Sequence, residues 1–330
     1  MLRRSRVNTR AATFFAFCVL VASCVSPVDE PQLHAEFQTD EAELTRAELR
    51  GQSLPDHVVS ITIDDGPNPF RTGQNTRAIA DYLAEEGIAA TFFVLGSRLT
   101  DTANMADWRT KRFPRITPTM HALLQHVRTV AIAQSPLHHL IANHTFSHEE
   151  TLAQLPSSER AAEFINAHNL MRPYFEGDMR LLRTPYGSWT NQVYTALQQT
   201  VTGQSYVGNV RWDAGNRLHC AYSARVWDCT QPDVAGGSID AADWECWAPG
   251  AGRPAVSPTE CAKGYVAGIE AANRRGIVLM HDVRAESVTM LKALVPMLKA
   301  RGYRFARVDQ VPTVNAALVE KGHRPAPAVR

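Results

Sequence analysis

The sequence predicts an α/β chain that closes into a (β/α) barrel, on three observations. Strand-like and helix-like runs alternate from about residue 56 to 310, the pattern of a parallel sheet or a barrel. Polar or ionisable residues directly follow the expected strands, at Asp64-Asp65, His144, Arg183 and His281. Barrel active sites are assembled at that end of the strands. Finally, 45% of the 330 residues are apolar, enough to fill the core of one large domain. The 34 basic and 33 acidic residues nearly cancel, so no nucleic-acid partner is expected.

Residues 1–24 lie outside that domain. Arg3, Arg4, Arg6 and Arg10 precede an apolar stretch from Ala11 to Ala22. The stretch falls short of the roughly 20 residues that span a bilayer, and the pattern reads as an export signal. It ends Val21-Ala22-Ser23-Cys24, which is similar to a bacterial lipobox, where the cysteine is lipidated and becomes the new N-terminus. An ordinary signal peptide cut nearby is the alternative. The expectation is an exported envelope lipoprotein, anchored in a membrane through Cys24 and facing the periplasm or the cell surface. Val25, in place of Asp, favours the outer membrane. Residues 25–55 contain Pro27, Pro31 and many charges and read as a tether, with a short helix within 40–50.

The domain then begins. Val58-Val59-Ser60-Ile61-Thr62-Ile63 is β-rich and stops at the turn signal Asp64-Asp65-Gly66-Pro67. Ile79, Tyr82 and Leu83 share a helix face that ends at Gly87. Thr91 to Leu95 is the next strand, and residues 100–130 form a longer connection of less readable structure. An apolar run from Leu137 to Ala142 precedes Asn143-His144. A helix with Ala161, Phe164 and Ile165 apolar is expected to begin with Ser157 or Ser158 as its N-cap. Leu181-Leu182 ends a strand at Arg183, a helix follows over 190–200, and a strand over 205–212. Beyond a cysteine-rich stretch come a helix at 260–274, the apolar strand Ile277 to Met280, a helix at 286–300 and a strand at 303–308. Residues 311–330, with Pro312 and a Pro-rich end, read as a tail.

Export fixes the reading of the cysteines. Cys18 and Cys24 belong to the signal, whereas Cys220, Cys229, Cys246 and Cys261 cluster. In an oxidising compartment an even cluster implies two disulfides. Three pairings are open, and the local one, Cys220–Cys229 with Cys246–Cys261, is favoured. A zinc site is the rival, although the spacings contain no Cys-x-x-Cys pair.

His144 and His148 carry the first hint of chemistry. At i, i+4 they share one face if the segment is helical, and two imidazoles could then reach one ion. Two surface histidines would show the same spacing. An added carboxylate would complete three ligands and leave the open position that a catalytic metal site needs. Asp64 and Asp65 are the candidates. Neighbours on a strand point to opposite faces, so both can serve one site only where the strand breaks, and Gly66-Pro67 supplies that break. Adjacent carboxylates repel, and a cation on one would leave the other free as a base.

Four segments in order resemble the motifs of the NodB-homology polysaccharide deacetylases, carbohydrate esterase family four. They are Asp64-Asp65-Gly66-Pro67, His144-Thr145-Phe146-Ser147-His148, Arg183-Thr184-Pro185-Tyr186 and Leu279-Met280-His281-Asp282. The resemblance covers residues 56–310 and implies a distorted (β/α) barrel. It implies one divalent metal ion, zinc first with cobalt or nickel as alternatives, held by Asp65, His144 and His148. By the same resemblance Asp64 is the catalytic base, Arg183 orients it, His281 is the general acid, and the backbone N–H of Tyr186 stabilises an oxyanion. Leu279, Pro185 and Trp244 become substrate-binding residues, with Leu279 and Trp244 lining an acetyl pocket. The family's Asp-x-x-Asp-Trp element, whose acid supports the catalytic histidine, fits Asp240 to Trp244 by letter. Trp212-Asp213 directly follows a strand and is the second choice. The cysteine-rich stretch at about 214–260 then reads as an insertion between the two.

The resemblance implies hydrolysis of N-acetyl groups on an amino-sugar polysaccharide: peptidoglycan, a chitin-like polymer or an exopolysaccharide. An acetylxylan esterase or small-molecule C–N hydrolase on the same fold, and a non-catalytic glycan-binding envelope lipoprotein, are the alternatives. Trp227, Trp244 and Trp247 could stack on sugar rings or pack a small stapled subdomain.

Overall fold

A computed structural model describes residues 44–68, 74–100, 118–215, 218, 220–230, 243–249 and 252–330. The expected export signal with Cys18 and Cys24, most of the tether, and Asp240 lie outside these residues.

In chain order the elements that matter begin with β1 (Thr45–Leu49), β2 (Val58–Gly66), α1 (Gln74–Glu85), β3 (Thr91–Val94), α2 (Pro118–Thr129) and β4 (Leu140–Asn143). They continue with α3 (Ser157–Met171), α4 (Asn191–Gln198), α5 (Val201–Gln204), β5 (Gly208–Val210), the hairpin β6 (Ala221–Ser223) and β7 (Val226–Asp228), and α6 (Asp243–Trp247). The chain ends with α7 (Pro258–Ala271), β8 (Arg275–His281), α8 (Ala285–Ala300), β9 (Arg304–Phe305) and α9 (Pro312–Glu320).

The strands close into a ring. β4, β3, β2 and β8 are hydrogen-bonded in that order and run parallel. The other half is held by single parallel bridges, Asn143 to Leu182, Leu182 to Asn209 and Ala214 to Val278. That uneven pairing is what distorts the barrel. Around 181–183 only the Leu182 bridges form, in place of the strand expected there.

Alternation along the strands sorts side chains between two environments. Val59, Ile61 and Ile63 of β2, Phe92 of β3, Ile141 of β4 and Val278 of β8 join the main core with Ile79, Leu124, Ile269 and Leu294 from the helices. Val58, Phe93, Leu140, Ala142 and Ile277 pack in a second cluster that includes Val210 and Leu181. The β2 face that starts with Val58 continues as Ser60, Thr62 and Asp64, all buried. It therefore becomes polar toward the C-terminal end of the strand, where the site lies.

Several expectations change. Residues 45–49 form a parallel strand on β5 and not a helix or tether, because Leu44 and Leu49 are buried there. Burial and pairing override the helix-favouring composition. The C-terminal segment is no loose tail either. Pro312 occupies the first turn of α9, where its missing N–H costs nothing, and Val314 and Leu318 of that helix pack with Leu49 and Leu54. Helix α3 starts at Ser157 itself, after Pro156, with no side-chain cap. The disulfides pair locally as expected, Cys220 with Cys229 and Cys246 with Cys261. Trp227 is buried in the main core, so it packs the stapled insertion.

Candidate active site

The site forms where β2, β4, the bridge at Leu182 and β8 all end. Asp64 pairs in register with His281, so strand pairing alone sets a carboxylate beside an imidazole. Asp64 is buried, and Arg183 donates from one nitrogen to Asp64 Oδ1 at 2.6 Å and to Thr62 Oγ1 at 2.7 Å. The guanidinium also donates to the Val210 carbonyl at 2.9 Å and lies 4.0 Å from the centre of the Phe93 ring. Held from three sides, it fixes the Asp64 rotamer and supplies the counter-charge that a buried carboxylate needs.

Asp65 would point away from Asp64 on a regular strand. Its φ of 72° turns the chain and brings its side chain to the same site. Thr145, His148 and Tyr186 also have positive φ, at 70°, 59° and 53°. Non-glycine residues in this region are strained, and such residues gather at functional sites. The two histidines thus converge through a left-handed loop after β4, not through the helix that their i, i+4 spacing suggests. That loop is clamped by Glu163 of α3, which is fully buried. Its carboxylate accepts the Phe146 and Ser147 N–H groups at 3.0 and 2.9 Å and the Ser147 hydroxyl at 2.6 Å.

Asp65, His144 and His148 each bring one ligand atom within 4.8 Å of the others. His144 Nδ1 lies 2.9 Å from the Arg183 carbonyl, which can only accept, so Nδ1 carries the proton. Its Nε2 then presents a lone pair, yet it faces Asp65 Oδ1 at 3.4 Å and Asp64 Oδ2 at 3.6 Å. His148 Nε2 is 3.2 Å from the same Asp65 oxygen, which is buried and accepts no hydrogen bond. Electron-pair donors aimed at one point fit a cation, and two imidazoles with one carboxylate are a suitable set for a borderline-soft divalent ion.

Across the site, His281 Nδ1 lies 2.7 Å from Asp243 Oδ1, and Asp243 Oδ2 accepts the His281 backbone N–H at 3.2 Å. Ser287 donates to the same Oδ2 at 2.8 Å. Burial lowers the His281 pKa, but the Asp243 carboxylate outweighs it, with Asp65 and Asp64 adding, and the group rises to about 9. Asp213 does something else. It accepts the N–H groups of Gly51 at 2.7 Å and Ile277 at 2.9 Å, which ties it to the start of β8, the wrong end to support His281.

The expected pocket residues divide. Leu279 packs with Trp212, while Trp244 is 46% exposed. Trp212 thus sets an aromatic ring against Leu279. Pro185 is buried, and the Tyr186 side chain is 58% exposed with its ring 4.7 Å from that of His148. Sequence reasoning missed Glu163 and Asp282. Glu163 falls on the buried face of α3 with Phe164 and Ala167, and a lone acid on an apolar face was the available signal. Asp282 is buried, takes a short hydrogen bond from the Thr76 hydroxyl, and its carbonyl accepts from Asn68 and Asn75 at 3.0 and 3.1 Å. It thereby ties the end of β8 to the loop and helix after β2. Burial pushes its pKa up to about 7.

Comparison with known proteins agrees with this geometry. The model of the polysaccharide deacetylase family matches residues 51–202. A chitooligosaccharide deacetylase of Rhizobium leguminosarum bv. trifolii is 28% identical over 272 residues, covering 77% of this chain and 92% of the relative. A peptidoglycan-N-acetylglucosamine deacetylase of Bacillus cereus is 23% identical over 252 residues, covering 75% and 68%. The chitin deacetylase of the fungus Colletotrichum lindemuthianum shares the fold, with a TM-score of 0.51 at 19% identity over 78% of this chain and 88% of that one. On these matches, and with the motifs in one site, the chain is similar to the polysaccharide deacetylases over about three quarters of its length.

Proposed function

We propose that this chain is a metal-dependent hydrolase that removes N-acetyl groups from an amino-sugar polymer. The observation that carries the reading is the convergence of Asp65, His144 and His148 beside a second carboxylate, Asp64, with the His281–Asp243 pair on the neighbouring strand. The relatives are named for chitooligosaccharide and peptidoglycan substrates, which supports a glycan of one of these kinds.

Asp65, His144 and His148 would hold one divalent ion, zinc first. Bound there, the ion would act as a Lewis acid toward the acetyl carbonyl and make water more acidic. Asp64, held in place by Arg183, takes a proton as water attacks the carbonyl carbon. The Tyr186 N–H is the candidate donor to the oxyanion that develops. Trp212 and Leu279 offer apolar surface for the acetyl methyl. His281, charged and oriented by Asp243, gives its proton to the amine nitrogen as the C–N bond breaks and acetate leaves. An amine is a poor leaving group without that proton, so the raised pKa of His281 favours N-acetyl over O-acetyl substrates.

Acetate release should be measured on chitin oligomers, peptidoglycan, poly-N-acetylglucosamine and acetylxylan. Release from an N-acetylated polymer, ahead of acetylxylan, is the expected result; no release by folded, metal-loaded protein from any of them would sink the reading.

The His281–Asp243 pair gives a pH prediction. A general acid works while protonated, so the rate should hold at neutral pH and fall as pH rises past the His281 pKa. Asp243→Asn removes the main raising charge. A bound cation offsets Asp64 and Asp65 but not Asp243, so the variant's alkaline limb should move down by at least about one pH unit. A kcat profile that keeps its alkaline limb in place would separate Asp243 from this role.

The basic start and the lipobox-like end of residues 1–24 support an exported protein anchored through Cys24. Mass spectrometry of the mature N-terminus should find a lipid-bearing Cys24; an unmodified N-terminus at another residue would contradict the anchor.

A further inference from the structure

We propose that the Cys246–Cys261 disulfide is a positioning element of the active site, holding Asp243 against His281. The inference rests on the hydrolase reading above.

Asp243 does not belong to a barrel strand. It opens α6, a helix of five residues, and one helical turn has little stability of its own. Its position is therefore set by its ties. Cys246 lies one turn after Asp243, is fully buried, and is bonded to Cys261 of α7. One turn further along α7, the Tyr265 hydroxyl accepts the Asp243 N–H at 3.2 Å and donates to the Leu279 carbonyl at 2.9 Å. The disulfide and this tyrosine thus fasten α6 to the same stretch of α7, and the tyrosine passes the register on to β8 two residues before His281. On the other side, Ser287 of α8 donates to Asp243 and accepts the Trp247 indole N–H at 3.3 Å. Each of these ties is a single hydrogen bond. The disulfide is the one covalent tie between α6 and the helices behind it among the described residues. Cys220–Cys229, in contrast, closes the β6–β7 hairpin.

Catalytic geometry tolerates little slack, and a displacement of about 1 Å can cost 10²-fold in rate. With the disulfide gone, α6 can drift, and His281 keeps its place on β8 but loses the carboxylate on Nδ1.

The test uses the full, metal-loaded chain with Cys246→Ala/Cys261→Ala, and Cys220→Ala/Cys229→Ala for comparison, each with and without Asp243→Asn. The first pair should lower kcat for acetate release by about tenfold or more, with KM changed by less than about twofold. In the Asp243→Asn background the same exchange should change kcat by less than about twofold, because the group it positions is already gone. The comparison pair should leave kcat within about twofold of the parent. A readout free of substrate is the downfield proton resonance of the His281 Nδ1–H bonded to Asp243. It should be lost or displaced in the first pair and retained in the second. Should the first pair fail to fold, reduction of the folded Cys220→Ala/Cys229→Ala variant by a water-soluble phosphine carries the same test. Each sulfur then gains an electron and a proton, the phosphine becomes its oxide with oxygen from water, and the resonance should change. Unchanged kcat and resonance without the disulfide, or an equal fractional loss of kcat in the Asp243→Asn background, would overturn the proposal. A resonance that follows the disulfide in a protein that releases no acetate would instead refute the hydrolase reading and leave the positioning role standing.

Discussion

Asp64→Asn should lower kcat for acetate release by about 10²–10⁴-fold while bound metal stays at its parental level. The amide has the carboxylate's shape and its oxygen can still accept from Arg183, but it cannot take a proton at neutral pH. Asp64 touches the proposed metal centre only through His144, at 3.6 Å, so the three ligands remain in place. The variant also removes the counter-charge of a fully buried guanidinium. The Thr62 hydroxyl and the Val210 carbonyl still hold Arg183, so a lower melting temperature with retained fold is expected. Metal content by elemental analysis and kcat by acetate assay check both halves. Loss of metal along with activity would move Asp64 from base to ligand.

Asp65→Ala should give the opposite pattern, with loss of metal and of acetate release together. One of three ligands disappears, and the Nε2 atoms of His144 and His148 lose the carboxylate they face at 3.4 and 3.2 Å. Lewis-acid stabilisation is worth several kcal/mol, so a drop in kcat of at least about 10³-fold is expected at metal concentrations that saturate the parent. A variant that keeps stoichiometric metal would show that the two acids exchange roles. The contrast between neighbours is the useful feature, since a general loss of structure would not separate Asp64 from Asp65.

Much of this site is legible in the sequence because strand ends are legible. The β-rich run from Val58 and the apolar run to Met280 locate two strands, and the acids and histidine just beyond them follow from barrel geometry. The histidine spacing pointed to the right pair for a different physical reason, since backbone strain at Thr145 and His148 turns the rings inward. The Glu163 clamp on that loop comes from a helix one element away, so its signal lies in α3 and not beside the histidines. The letter pattern ranked Asp243 ahead of Asp213 but left both open, because the insertion breaks the spacing. Three-dimensional packing decides it, placing Asp213 at the start of β8 and Asp243 at its end. Residues 45–49 and α9 were misread because their structure is imposed by partners distant in sequence, Gly208 and Val210 for the first and Leu49 and Leu54 for the second.

The central assignment is one cation held by Asp65, His144 and His148 and put to use by Asp64. Its most direct test is a titration of chelator-stripped protein with zinc, following acetate release from chitin oligomers at each addition. Asp65, His144 and His148 as a single site predict release that starts near zero, climbs in proportion to zinc and levels off at one equivalent per chain. Full release by the stripped protein, or none at one equivalent in a folded sample, would contradict it.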